Sequence, residues 1–267
     1  MKGTTRIAMV GAGSVARRHV RVLTGFDGVR VVAVADPVTE SATALANECD
    51  ALPFDSAQQA LDAVDVDAVY VCVPPFAHGD PERAALALRL PLFVEKPVAV
   101  DVATAERVAA LVAEAGVVTG TGYHWRCLDT VTEAKRLLAQ SPPLLANGYW
   151  LDKRPPVSWW PRRDLSGGQV VEQLTHVLDM ARVLLGEPTE VVAAGVRDPD
   201  SDGDVDADVD DAVAALVRFT SGAVATFSAT SLLTRLHRTA LHTVSRGLTV
   251  ELSEAGLVTD DGADRRQ

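Results

Sequence analysis

Apolar and polar positions follow two regimes along the chain. Up to about residue 122, short apolar runs alternate with stretches of helical period. The runs at 68–73 and 92–94 are continuous rather than alternating, which predicts buried parallel strands, and further strands are expected at 7–10 and 29–35. Shorter strands are expected at 52–54 and 117–120. Between them, Val15, His19, Val20 and Val22-Leu23 recur at helical spacing, and further helices are expected at 39–48, 57–64, 81–90 and 103–115. Pro81 suits a first helical turn, Asp101 a cap and Gly116 a helix end. Strands alternating with helices predict right-handed βαβ units in a doubly wound parallel sheet of Rossmann type.

Beyond Gly122 the pattern changes. A helix is expected at 129–139, a strand at 144–152 and a loop rich in Pro, Trp and Arg at 154–163. A long helix at 169–185 lies between Gly167-Gly168 and Gly186, with Val171, Leu174, Leu178, Ala181 and Leu185 as its apolar stripe. Strands follow at 191–196, 212–219, 223–228, 239–245 and 248–252, separated by turns such as Thr220-Ser221-Gly222 and Arg246-Gly247. This predicts an α+β domain with a mostly antiparallel, open-faced sheet and helices on one face. The expected domains are residues 1–122 and 123–267.

With 267 residues and 48% hydrophobic content, the chain can fill two ordinary cores. Its apolar runs are too short to span a bilayer, so no membrane partner is expected. The chain enters a strand within ten residues of its start, with no signal-like apolar segment before it. Cys49, Cys72 and Cys127 lack metal-ligand spacing and suit buried free thiols. Together these features lead to a cytoplasmic expectation. The net charge of −11 is concentrated: eight acids lie in Asp198 to Asp211, and without those eight the chain carries only −3. The remainder shows no basic stripe for nucleic acid. Asp198-Pro199-Asp200-Ser201-Asp202-Gly203 imitates the start of a calcium loop. Its twelfth position is Val209 rather than Glu, and the flanks read as strands, so a solvated strand connection is expected.

Three stretches carry candidate chemistry. Gly11-Ala12-Gly13-Ser14-Val15-Ala16 joins the first strand to the first helix as G-x-G-x-x-A. Gly11 permits the tight turn, Gly13 admits a pyrophosphate to the backbone, and small Ala16 allows close helix–strand packing. The next strand ends in Asp36, 23 positions after Gly13, where a ribose-binding carboxylate is expected. The second stretch is Val94-Glu95-Lys96-Pro97, which ends a buried strand where open parallel sheets bind ligands. The third is Glu172, His176 and Asp179, spaced four and three apart on the long helix. That face suits general acid–base chemistry, equally a solvated ion-pair face, and metal ligation only with ligands that no second cluster supplies. No metal is expected.

Together with Pro74-Pro75 and His78, and Gly122-Tyr123 with Arg126, these stretches resemble the glucose–fructose oxidoreductase, inositol dehydrogenase and MocA family (Gfo/Idh/MocA) over nearly the whole chain. The resemblance implies an NAD(P)-dependent oxidoreductase acting on sugars, cyclitols or their derivatives. It implies cofactor contacts at Gly11, Gly13, Ser14, Val15, Asp36, Pro74, Pro75, His78, Glu95 and Lys96. Lys96 and His176 become the catalytic pair, with Glu172 beside them binding a neighbouring substrate hydroxyl. Tyr123, Arg126, Lys153, Trp159 and Trp160 become candidate substrate contacts. NAD is expected over NADP, because Asp36 repels a 2′-phosphate and Pro37-Val38-Thr39 offers no cation. The family's use of the open sheet face implies a homodimer or homotetramer. Two departures stand out. Glu172 occupies a position usually held by Asp, and the sequence ends at Gln267 where many members continue into a further helix. Two other classes remain open: an NAD-dependent glycosidase of the same build, and a non-catalytic dinucleotide-binding regulator.

Overall fold

The computed structural model describes residues 3–199 and 207–266. Its contacts divide the chain into two units, Met1–Gly122 and Tyr123–Gln267.

In the first unit β1 (Thr5–Val10), α1 (Ser14–Leu23), β2 (Val29–Ala35), α2 (Thr39–Cys49), β3 (Leu52–Phe54) and α3 (Ala57–Ala63) form one half. The other half comprises β4 (Ala68–Val71), α4 (Asp80–Ala87), β5 (Leu92–Val94), α5 (Val102–Ala115) and β6 (Thr119–Thr121). All six strands are parallel, in the order β3-β2-β1-β4-β5-β6. The order reverses at β1–β4, and in such sheets the ligand crevice lies outside the carboxyl ends of the strands at that point. Alternate residues of β1 feed opposite cores. Ala8 and Val10 pack with Val69, Val71 and Val94, while Ile7 and Met9 pack with Ala16, Val20 and Leu45.

The segment after β4 is tied down by a buried acid–imidazole pair. Glu82 Oε1 lies 2.6 Å from His78 Nδ1, and Glu82 Oε2 accepts from the Gly79 N–H at 2.7 Å. Neither the His78 nor the Glu82 side chain has any exposed surface. One carboxylate thus holds the Pro74–His78 turn against the start of α4.

The second unit contains α6 (Asp129–Gln140), β7 (Leu145–Lys153), α7 (Arg163–Ser166), a π-helical turn (Val170–Leu174), α8 (Thr175–Leu185), β8 (Pro188–Val196), β9 (Ala212–Phe219), β10 (Val224–Leu233), β11 (Arg238–Ser245), β12 (Leu248–Ser253), β13 (Gly256–Asp260) and β14 (Arg265–Arg266). The strands described form one sheet in the order β14-β13-β12-β11-β7-β10-β9-β8. It is mostly antiparallel, with β7 and β10 forming a parallel pair. β13 and β14 extend the sheet past the last strand expected from sequence, because short glycine-bounded segments carry little apolar signal. Residues Leu174, Val177, Met180, Ala181 and Leu185 pack with Phe227, Ala225 and Leu241. β8 is exposed along its whole length, with Val191 and Val192 at 66% and 72%.

Several expectations change. The long helix is not α-helical throughout. The π turn inserts a wider i→i+5 step before α8. One extra residue in that turn moves the core contact before it from Val171 to Val170, and in α8 Val177 and Met180 also belong to the stripe. Cys127 is exposed rather than buried, and Cys49 is half-buried. The calcium-like segment lies largely outside the described residues, and its exit is tethered: Arg163 donates through its backbone to Asp208 Oδ1 and through its guanidinium to Asp210 Oδ2. Among the described residues no cluster of His, Cys, Asp or Glu could hold a metal, and no helix is long and apolar enough to cross a membrane.

Replacing Glu82 by Ala strands the buried His78 Nδ1 and Gly79 N–H together. The expected outcome is a loss of about 3 kcal/mol of stability, measured by urea unfolding. A loss below about 0.5 kcal/mol would show that the pair does not hold this turn.

Candidate active site

β1 ends in Val10, and the chain must turn at once to enter α1. Gly11 makes the turn at φ +93°, and a Cβ there would lie 2.3 Å from the Cys72 carbonyl oxygen. Only glycine fits both the backbone conformation and the approach to β4. Gly13 caps α1, whose first turn carries no acid, and nothing lies within 4 Å of where its Cβ would be. The backbone at Gly13 is therefore open to close approach at a helix start, as a pyrophosphate requires. Ser14 is exposed and Val15 is 38% exposed, while Ala16 is fully buried against the sheet. Asp36 follows β2. Its Oδ2 accepts from the Ala12 N–H at 2.8 Å and its Oδ1 from the Val38 N–H at 2.9 Å. Two backbone donors fix the carboxylate, and each oxygen keeps a lone pair for a ribose hydroxyl. These residues fit a dinucleotide.

At the end of β5, Glu95 is held on three sides. Its Oε1 lies 2.7 Å from His19 Nε2, and its Oε2 accepts from the Lys96 N–H at 2.9 Å. Gly122, just after β6, approaches so closely that a Cβ there would lie 2.4 Å from Oε2. Burial works to raise the Glu95 carboxyl. The His19 hydrogen bond, the Lys96 N–H and the charges of His19 and Lys96 outweigh it and hold the group below the usual carboxylate range. Its contribution to stability is therefore present above the ordinary carboxylate pKa and lost as pH falls through the lowered one. Lys96 is half-buried and is joined to Pro97 by a cis peptide.

The proline turn departs from expectation. Pro75 is buried, and the His78 side chain is fully enclosed with Glu82, away from solvent. Phe76, 44% exposed, is what this turn presents instead. His19, in contrast, escaped the sequence pattern. It was grouped with the apolar positions of α1, yet it is the partner of Glu95. The available signal was a histidine three positions after buried Ala16, on the sheet-facing side of the helix.

In the second unit, His176 is 4% exposed and lies among four rings. The His124 ring is 4.6 Å away edge-on, Trp150 is stacked at 5.9 Å, Tyr123 is at 6.3 Å and Trp125 at 6.4 Å. The segment bearing three of these rings is pinned twice. Glu254 accepts from Trp125 Nε1 at 2.9 Å and pairs with His124 Nε2 at 2.9 Å. Arg126 grips Asp179 with both ends of its guanidinium, at 2.7 and 2.5 Å. Asp179 sits one turn after His176 on α8 and is 5% exposed.

The expected substrate contacts therefore divide. Tyr123 stands beside His176, and Arg126 is committed to Asp179. Trp160 belongs to the core at 1% exposure, its carbonyl accepting from the Ser166 hydroxyl. A ring that large satisfies burial before ligand contact. Trp159 packs at a tilt on Trp160, and Lys153 is exposed at the end of β7. Glu172 lies in the π turn, half-buried, so its four-residue spacing from His176 is not the α-helical relation read from sequence. Trp125, Trp150, His124 and Glu254 carried no motif signal. Glu254 lies 129 residues from the Trp125 indole it binds.

Comparison with known proteins follows the same division. A family described as "Oxidoreductase family, NAD-binding Rossmann fold" matches residues 5–123, and the "GFO/IDH/MocA C-terminal domain" matches residues 141–245. The chain is 29% identical over 199 residues to a 2,7-anhydro-N-acetylneuraminate hydratase of Mediterraneibacter gnavus, covering 72% of this chain and 52% of the relative. It is 32% identical over 201 residues to an inositol 2-dehydrogenase of Rhizobium meliloti, covering 71% and 58%. The match thus spans a little over half the length of these relatives. A solved levoglucosan dehydrogenase in complex with NADH shares the fold with a TM-score of 0.88 at 21% identity, over 98% of this chain and 78% of that one.

Asp179→Asn keeps the size of the side chain and removes the charge that Arg126 grips. The expected loss is about 2 kcal/mol, less than for a fully buried pair because Arg126 is half-exposed. The near-ultraviolet circular dichroism of Trp125 and Trp150 should change with it. An unchanged spectrum and melting temperature would show that the clamp does not organise the ring cluster.

Proposed function

Because the chain belongs to the Gfo/Idh/MocA oxidoreductase family, we propose that it transfers a hydride between NAD and a carbinol or ketone of a sugar, cyclitol or derivative. The observation that supports this most directly is the pairing, on one edge of one sheet, of a glycine cradle with open approach and the Glu95-Lys96 strand end.

Gly11, Gly13, Ser14 and Val15 hold the pyrophosphate, Asp36 the adenosine ribose, and the Pro74-Pro75 turn and Glu95 border the remainder. Bound NAD supplies the hydride acceptor. Lys96 donates to the substrate oxygen and stabilises the negative charge that grows on it. His176 is the base, taking a hydroxyl proton during oxidation and returning it during reduction, a role suited to an imidazole. The enclosing rings restrict its motion and exclude water. Glu172 accepts from a neighbouring hydroxyl, and Tyr123 stands beside His176. A hydratase among the relatives supports a second reading, in which the same residues oxidise a substrate transiently and no NADH accumulates. We also assign the open face of the second sheet, where paired Val192 and Leu216 are uncovered, to assembly as a homodimer or homotetramer. A panel of sugars and cyclitols followed by the absorbance of reduced cofactor tests the reaction itself.

Two outcomes are expected. NAD binds more tightly than NADP in calorimetry, since the Asp36 carboxylate meets the 2′ position and residues 37–39 supply no cation. Equal affinity would overturn the role given to Asp36. His176→Ala lowers kcat by about 10²–10⁴ while NAD affinity stays nearly intact, and Lys96→Ala lowers kcat at least comparably. Near-full turnover of the His176 variant would move the base elsewhere.

A further inference from the structure

The residue that holds Glu95 belongs to a different element from the strand it serves. His19 lies on α1, the helix that opens at the glycine loop, and its Nε2 reaches Glu95 Oε1 at 2.7 Å. Its ring is fixed edge-on against Phe93 at 5.1 Å and Tyr70 at 5.7 Å, and those two rings stack on each other at 4.7 Å. His19 and Glu95 side chains are 25% and 14% exposed, so the pair is largely shielded from water.

Glu95 in turn grips the backbone of its neighbour. With Oε2 accepting from the Lys96 N–H, the orientation of the carboxylate sets the plane of the peptide from which the Lys96 side chain departs. Gly122 blocks the carboxylate from retreating on one side. His19 fixes it on the other. The charged and titratable groups that face this pair are few. Lys96 adjoins Glu95 on its own strand end and favours its charge. From β4 come Tyr70, raised by burial, and Cys72, raised by burial and by the Glu95 charge; both therefore stay neutral in the physiological range. Gly122 brings none.

We propose that His19 is a positioning residue for the reaction: acting through Glu95, it sets the direction and electrostatic setting of Lys96 and ties both to the helix that holds the dinucleotide. The inference rests on the hydride-transfer reading for the use made of Lys96, but its contacts do not depend on that reading.

His19→Phe keeps the ring between Tyr70 and Phe93 and removes the donor. His19→Gln keeps a donor at similar reach without the ring. In the Phe variant kcat falls about tenfold or more, the equivalent of one charge-assisted hydrogen bond. NADH affinity, read by fluorescence, stays within about threefold, under 1 kcal/mol, because the amides at the start of α1 are untouched. The Gln variant recovers most of the lost kcat. Two signals are followed by nuclear magnetic resonance across pH in the same proteins without substrate: the Glu95 carboxyl carbon and the Lys96 ammonium nitrogen. The Phe variant raises the Glu95 titration midpoint and moves the Lys96 signal, and the Gln variant restores both. Unchanged resonances in the Phe variant, or a Gln variant as impaired as the Phe one, would overturn the proposal. Absence of turnover in the wild-type protein across the whole panel would count against the redox reading alone, since the resonances report on the pair directly.

Discussion

A single hydrogen atom in place of a side chain governs the centre of the first unit. At Gly11 the end of β1 passes so close to the Cys72 carbonyl that a methyl group would overlap it. That contact joins the two halves of the parallel sheet where their order reverses. It lets the chain turn directly into α1 and so decides where the helix begins. Because helix position follows from that start, the same contact decides that Gly13 faces open space and that His19, one and a half turns later, meets Glu95. The cofactor cradle and the base of the lysine-bearing strand end are thus positioned by one close approach.

The second unit secures its histidine differently. His176 gains its surroundings from side chains that arrive from β7 and from the segment after Gly122, held by two acids on separate elements. Asp179 pulls on Arg126 from the same helix as His176, and Glu254 pulls on Trp125 and His124 from the far end of β12. Carboxylates on opposite sides of one short segment leave it little freedom to tilt. The imidazole is therefore held by packing and the packing by charge.

The first unit was legible in the sequence because its signals are local. Continuous apolar runs mark strands buried on both faces, and glycines at fixed spacing mark the loop. The elements at 29–35 and 52–54 begin and end where the pattern places them. The helix at 169–185 was legible in existence but not in phase. A 3.6-residue period assigns Val171 to the core, whereas the π turn assigns Val170, and no propensity separates those neighbours. The surroundings of Arg126 and Trp160 were not legible for a related reason. Type and neighbourhood suggest ligand contact, while the Arg126–Asp179 pairing and the burial of the Trp160 ring are set by tertiary folding. His19 shows the opposite failure, a polar residue read as filler because its partner lies 76 positions away.

The π turn also has an evolutionary meaning. Such a turn is an α-helix carrying one surplus residue. Deleting one residue between Val170 and Leu174 would return the segment to regular α geometry with the turns on either side kept nearly in place, because a five-residue π step and a four-residue α step each advance the chain by about one turn. Glu172, inside the turn, would change its aim, while Gly167-Gly168 before it and His176 and Asp179 after it would stay in place. A lineage can therefore alter which groups accompany the histidine by gaining or losing a single codon, without disturbing the histidine itself.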